Sequence, residues 1–156
     1  MKTEKVDIDF DNSIGPWLGK TAKIMGYHLQ EEFTRAGLDI TKEQMIILKK
    51  LYERDGLNQN ELAELTFRDK SSLTRLVSTL ERKGYVRRMR CPEDKRVNFI
   101  LLTEDGSAMW QRAKPIAQQL IQRMRTDLSE KEVGQFIELL KKIQGNLIHS
   151  ETARLT

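Results

Sequence analysis

The sequence predicts a mainly α-helical fold carrying one small β-hairpin. Three observations predict it. Helix-opening signatures, in which a side chain and a backbone N–H three residues apart satisfy each other, recur at Thr41 with Gln44, Asn58 with Glu61 and Ser129 with Glu132. Apolar residues repeat every three or four positions behind them. Only after Gly84 does the pattern change to strand-like runs around a polar loop.

In order, Ile14, Trp17, Leu18, Met25, Leu29, Phe33 and Ala36 form a first amphipathic stripe that Gly37 closes by admitting the left-handed conformation. Met45, Leu48, Leu51 and Tyr52 line one face of a second helix ending near Asp55-Gly56. Leu62, Ala63 and Leu65 are expected to pack inward from a third, only about two turns long. Asp69 can cap a fourth, whose stripe is Leu73, Leu76, Val77 and Leu80 and whose stop is Gly84. Tyr85 to Arg90 and Val97 to Leu102 then read as strands around the loop from Cys91 to Arg96. Thr103 can cap a long helix through Met109, Trp110 and Ala113 that continues past Pro115 to Met124, with a kink at the proline as an open option. In the last helix Val133, Phe136, Ile137, Leu140, Ile143 and Leu147 alternate three and four apart, as in a helix-pairing seam.

At 156 residues and 38% hydrophobic content, the expectation is one folded unit spanning residues 1–156, with a modest core or one shared between subunits. One cysteine, Cys91, excludes an internal disulfide, and two histidines, His28 and His149, offer no zinc spacing, so neither a metal nor a cofactor is expected. No run approaches the roughly 20 apolar residues of a membrane span, and MKTEKVDIDFDNS lacks a secretory signal's apolar run, so the expected compartment is the cytoplasm. A nucleophile with its base, a glycine-rich phosphate loop or a metal cluster would be needed for catalysis; none is legible, and no enzyme is expected.

The net charge of +4 is unevenly placed: residues 67–98 hold ten Lys/Arg against four Asp/Glu, or +6, leaving the remainder at −2. A local positive field suits a nucleic acid. If the fourth helix buries its apolar stripe, its opposite face carries Ser71, Arg75, Ser78 and Arg82, with Thr74 alongside and Lys70 and Ser72 in the first turn. Small hydroxyl residues permit close approach to a major-groove floor, and arginine can grip guanine through two parallel hydrogen bonds, so Arg75 is the candidate for base readout. A solvated surface helix would look the same in isolation; the context separates the two. A two-turn helix, a turn, a second helix and a basic hairpin follow one another as in a winged helix-turn-helix, with about 40–102 as the reading core. Arg96, at the hairpin tip, can enter a narrow, strongly negative minor groove. Lys70, Arg87, Arg88, Arg90 and Lys95 suit phosphate contacts, although alternation along a strand turns some hairpin arginines elsewhere.

The run NQNELAELTFRDKSSLTRLVSTLERKGYVRRMR, then Asp94-Lys95-Arg96 and Leu102-Thr103-Glu104-Asp105-Gly106, resembles the MarR family of transcription regulators over nearly the whole chain. The resemblance implies that the helix from Asp69 to Lys83 lies in the major groove, that Arg96 reaches from the wing into the minor groove, and that Asp94 steadies the wing. It also implies a homodimer joined by terminal helices, here about 13–36 and 104–149, and a pseudo-palindromic double-stranded DNA site. Repression relieved by a small aromatic or phenolic effector is the commoner pattern in the family. Trp17, Lys20, Tyr27, His28, Phe33 and Met45 are available to line an effector pocket, and each is explained as well or better by core packing or surface exposure. Oxidation of Cys91 is a further option, as is an inert thiol. Two alternatives stay open: the terminal helices can pack as a bundle within one chain, and the winged helix can meet an acidic protein instead of DNA.

Overall fold

A computed structural model of the chain describes residues 9–152, with side chains through residue 148. Most of the opening segment that lacks a secretory run, residues 1–8, and the side chain of His149 lie outside the described residues. The chain divides into two compact units, one through Leu120 and one from Ile121.

The first unit contains α1 (Ile14–Arg35), α2 (Lys42–Glu53), β1 (Leu57–Asn58), α3 (Gln59–Leu65), α4 (Lys70–Arg82), β2 (Val86–Arg90), β3 (Asn98–Leu102) and most of α5 (Glu104–Met124). The predicted capping boxes open α2 and α3, each with both reciprocal bonds, and Asp69 accepts from the Ser72 N–H at 2.8 Å to open α4. Gly37 and Gly84 take φ of 67° and 76°, in the left-handed region that ends α1 and α4. The turn from α3 to α4 passes through Phe67, also left-handed at φ 54°, with its ring in solvent.

Phe33, Ile47, Leu48, Leu51, Leu62, Leu73, Val77, Leu80 and Ile100 are fully enclosed, and Met109, Trp110 and Ala113 bring the first part of α5 against them. Two expected core residues lie outside. Leu65 is exposed, because on a helix advancing about 100° per residue it sits well round from the Leu62–Ala63 edge that faces inward. Tyr52 is exposed on α2, where its hydroxyl accepts from Gln111 Nε2 at 2.6 Å and its ring stands 6.4 Å from Trp110.

The hairpin forms with the register Val86↔Leu102, Arg88↔Ile100 and Arg90↔Asn98. A strand not anticipated, β1, pairs antiparallel with β3 on its other side, giving the order β1-β3-β2. Asp55 prolongs this edge by accepting from the Leu102 N–H at 2.8 Å. Helix α5 runs through Pro115 as one helix.

Beyond Ile121, α5 ends and a turn with Asp127 at φ 61° leads to α6 (Glu130–Thr152). Ser129 caps α6 and shares both its N–H and hydroxyl with Glu132, which holds that carboxyl below its usual range. The seam on α6 is largely uncovered: Phe136 is 55% and Leu147 63% exposed.

Among the glycines of the first unit, Gly106 makes the closest backbone approach. A Cβ there would lie 2.0 Å from the Tyr85 carbonyl oxygen. Gly106→Ala is expected to lower the unfolding free energy by about 3 kcal/mol through forced displacement of backbone. Gly26→Ala, where only the Lys42 ammonium comes within 3.7 Å, should be neutral or raise it by up to about 1 kcal/mol through helix propensity. Urea titration of both variants checks the contrast.

Candidate nucleic-acid interface

Burial of Leu73, Val77 and Leu80 fixes the rotation of α4 and thereby exposes Ser71, Arg75 and Arg82 on its far side. Lys70, in the first turn, is exposed as well. Arg75 has no carboxylate within ion-pair distance among the described residues, so its charge is available to an external anion or base. Thr74 is held in place: its hydroxyl donates to the Lys70 carbonyl at 2.7 Å and accepts from Gln59 Nε2 of α3. Ser72 is half-buried and accepts from Arg68 Nη1 at 3.2 Å.

The wing loop is closed by the Cys91 N–H donating to the Val97 carbonyl at 2.9 Å and the Val97 N–H donating to the Asp94 carbonyl at 3.0 Å. Asp94 Oδ1 also accepts from the Arg96 N–H at 3.0 Å. Asp94 therefore shapes the tip, while the Arg96 side chain, 95% exposed, meets that carboxylate only at 3.8 Å. Arg87, Arg90 and Lys95 are exposed, and Cys91 is half-buried at the base of the loop.

Between the wing loop and the start of α3 and α4 lies a polar cleft of about 440 Å³. It gathers four expected residues, Lys70, Thr74, Asp94 and Arg96, with Gln59, Asn60 and Asn98, which the sequence reading missed. The signal was present as the amide run Asn58-Gln59-Asn60, whose first member was used only as a cap. Amide and ammonium donors around an open cleft can hold a phosphate oxygen.

Arg88 and Ser78 are placed differently from expectation. Arg88 is only 23% exposed in its side chain and bonds Glu81, Ser78 and the Thr74 carbonyl, so its charge is taken up within the protein. Alternation explains it: Arg88 points toward α4, whereas Arg87 points away.

The six effector-pocket candidates do not come together within one chain. Phe33 and Met45 are core residues. Trp17, whose indole donates to the Asp11 carbonyl at 2.6 Å, and Lys20, 5.8 Å over its ring, lie near the start of α1. Along a helix, Trp17 and Phe33 are about 24 Å apart, farther than one small ligand spans. Tyr27 borders a shallow depression of about 280 Å³ with Lys23, Gly26 and Lys42, and His28 is half-buried beside it in sequence.

The family model for the MarR family matches residues 40–97, from just before α2 to the end of the wing loop. Transcriptional regulator HosA of Escherichia coli is 30% identical over 105 residues, 67% of this chain and 78% of HosA. The chain belongs to the MarR family. HTH-type transcriptional regulator SarZ of Staphylococcus haemolyticus is 32% identical over 69% of this chain and 72% of its own. Among solved structures, the MepR–DNA complex of S. aureus matches with a TM-score of 0.80 and 27% identity, covering 86% of this chain and 98% of MepR. Mutant MarR from E. coli complexed with operator DNA matches with a TM-score of 0.78 and 28% identity, covering 88% and 99%. The protein is thus a winged-helix, DNA-binding transcriptional regulator, from a family of regulators that are not enzymes. Among the described residues no helix is long and apolar enough to cross a membrane.

Because Asp94 organises an exposed loop, Asp94→Ala is expected to speed amide exchange at Arg96 about tenfold by local opening while moving global stability by less than about 0.5 kcal/mol. Hydrogen-exchange mass spectrometry alongside urea unfolding reads both.

Proposed function

We propose that this MarR-family protein is a cytoplasmic homodimer that recognises a pseudo-palindromic DNA site and represses transcription until a small ligand releases it. The observation that carries the DNA reading is the placement of Arg75 and Ser71 on the exposed face of α4, with Arg96 on a shaped wing across a polar, donor-lined cleft. Two spaced cationic projections with a donor-lined cleft between them suit adjacent major and minor grooves with a phosphate strand between.

In this reading Ser71, Thr74 and Arg75 face the major groove, with Arg75 reading a base; Arg96 enters the minor groove; and Lys70, Arg90 and Lys95 meet phosphates. Gln59, Asn60 and Asn98 add neutral donors to the cleft. Ser72, Ser78 and Arg88 act from behind this surface. The chain works as one MarR-like unit, with about 40–102 reading DNA and about 13–36 and 104–149 joining two copies. The uncovered apolar residues of α6, with Ile14, Trp17, Ile24 and Tyr27 on α1, support the dimer, since burial against a second copy removes them from water. A twofold axis would set two α4 helices roughly 34–36 Å apart, one DNA turn.

An effector, in this reading aromatic or phenolic, must favour one spacing of the two reading heads over the other. Lys20 and His28 are polar groups on α1 able to meet an acidic ligand, and Trp17 and Tyr27 are exposed rings able to stack on it.

The test is fluorescence anisotropy with duplexes from the protein's own upstream region and an unrelated duplex, at two salt concentrations. Arg75→Ala should cost about 1–3 kcal/mol per reading head on the preferred duplex and erode its preference. Arg96→Ala should weaken binding most where the flanks are A·T-rich. Equal, weak binding to every duplex would remove the sequence-specific reading, and no binding at low salt would favour a protein-contact module with an acidic partner. For the dimer, Phe136→Glu with Leu147→Glu is expected to halve the mass seen by sedimentation equilibrium while leaving the far-ultraviolet helix signal largely intact.

A further inference from the structure

Arg88 leaves the wing and enters the flank of α4, where its guanidinium makes three hydrogen bonds. Its Nη1 donates to Glu81 Oε2 at 2.7 Å, and its Nη2 donates to the Ser78 hydroxyl at 2.9 Å and the Thr74 carbonyl at 3.2 Å. Its backbone N–H donates to the other oxygen of Glu81 at 3.2 Å. Thr74, Ser78 and Glu81 are spaced four and three apart, so one guanidinium spans about two turns of the helix on a single flank.

That flank adjoins the stripe of Ser71, Arg75 and Arg82. At about 100° per residue, Thr74, Ser78 and Glu81 lie between the buried stripe and the exposed one. The strand that Arg88 anchors runs on through Arg90 into the loop carrying Arg96. A planar fork with several fixed donors suits this task better than a flexible ammonium, because each bond restrains orientation as well as distance.

We infer that Arg88 is a positioning residue, a brace that sets the angle between the reading helix and the wing through Glu81, Ser78 and the Thr74 carbonyl. It touches no DNA. It fixes beforehand the separation of Arg75 and Arg96, so that ordering of the wing does not have to be supplied during binding. The inference rests on the DNA-binding reading above, and it corrects the expectation that Arg88 is one more phosphate contact.

The two roles differ in sign and in salt dependence. If Arg88 neutralised a phosphate, Arg88→Met would reduce the slope of log K against log salt by about 0.9 per charge. Removal of a brace leaves the slope as it was and lowers affinity for the preferred duplex by about tenfold, with a smaller effect on unrelated DNA, because misalignment penalises base and groove recognition most. Glu81→Gln separates them further. Removing an anion near DNA strengthens binding if Arg88 serves phosphates, and weakens it if Glu81 holds the brace.

The experiment measures wild type, Arg88→Met, Arg88→Lys, Glu81→Gln and the Arg88→Met/Glu81→Gln pair in the same anisotropy assay, with hydrogen exchange on the free proteins. Expected are similar losses of affinity in all four variants, an unchanged salt slope, no further weakening in the double variant, and faster exchange over 86–102 with intact exchange in the core. A shallower slope for Arg88→Met, tighter binding by Glu81→Gln, or full rescue by Arg88→Lys would overturn the brace. If the wild type binds no duplex, the DNA-binding reading fails; the exchange data then decide the brace alone, and unchanged wing exchange in Arg88→Met and Glu81→Gln overturns it.

Discussion

The reading head depends on one knot of backbone hydrogen bonds around Thr103. Its N–H donates to the Tyr85 carbonyl at 3.1 Å and its hydroxyl to the Gly84 carbonyl at 2.6 Å, while that hydroxyl accepts from the Gly106 N–H at 3.0 Å. Tyr85 in turn donates its N–H to the Leu80 carbonyl at 3.0 Å. The end of α4, the start of β2, the end of β3 and the start of α5 therefore meet at one place. Every group there would otherwise be an unpaired backbone donor or acceptor at an element end, so the knot satisfies the caps and fixes the geometry at once. It also explains why glycine stands at 106: the first turn of α5 can seat against Tyr85 only without a Cβ.

Much of this was legible in the sequence because it is governed by local rules. A Thr, Asn or Ser followed three residues later by Gln or Glu marks a helix start through contacts four residues long, and the structure contains those contacts at Thr41, Asn58 and Ser129. The apolar stripe of α4 likewise fixed which side faces out, and Arg75 lies there. What escaped was set at a distance. Strand β1 is two residues long and exists only because β3 lies beside it. Leu65 and Tyr52 carry the right chemistry for a core and the wrong angular position for this one. Phe33 and Met45 had been open to either a pocket or the core, a choice that only tertiary packing makes.

The candidate interface shows the same division. Sequence composition identified a basic segment and its hydroxylic helix face, but it could not tell a free arginine from an engaged one. Arg87 and Arg88 are neighbours of identical chemistry; strand alternation sends one to solvent and the other to Glu81. A second long-range tie, from Lys83 Nζ to Asp39 Oδ1 at 2.9 Å and Gln44 Oε1 at 3.1 Å, joins the C-terminal end of α4 to the corner between α1 and α2. The stop of α4 is thus fastened to the scaffold on one side by lysine and to the wing on the other by arginine.

The Glu81 carboxylate has a consequence beyond the placement of the wing. Strand β2 is an outer strand of its sheet, and an outer strand with vacant N–H groups is a template on which another chain can form β-structure. The N–H of Arg88 is already satisfied by Glu81, and charged arginines flank it along the same edge. A hairpin that stands out from the body of the protein is thereby guarded against self-templated aggregation.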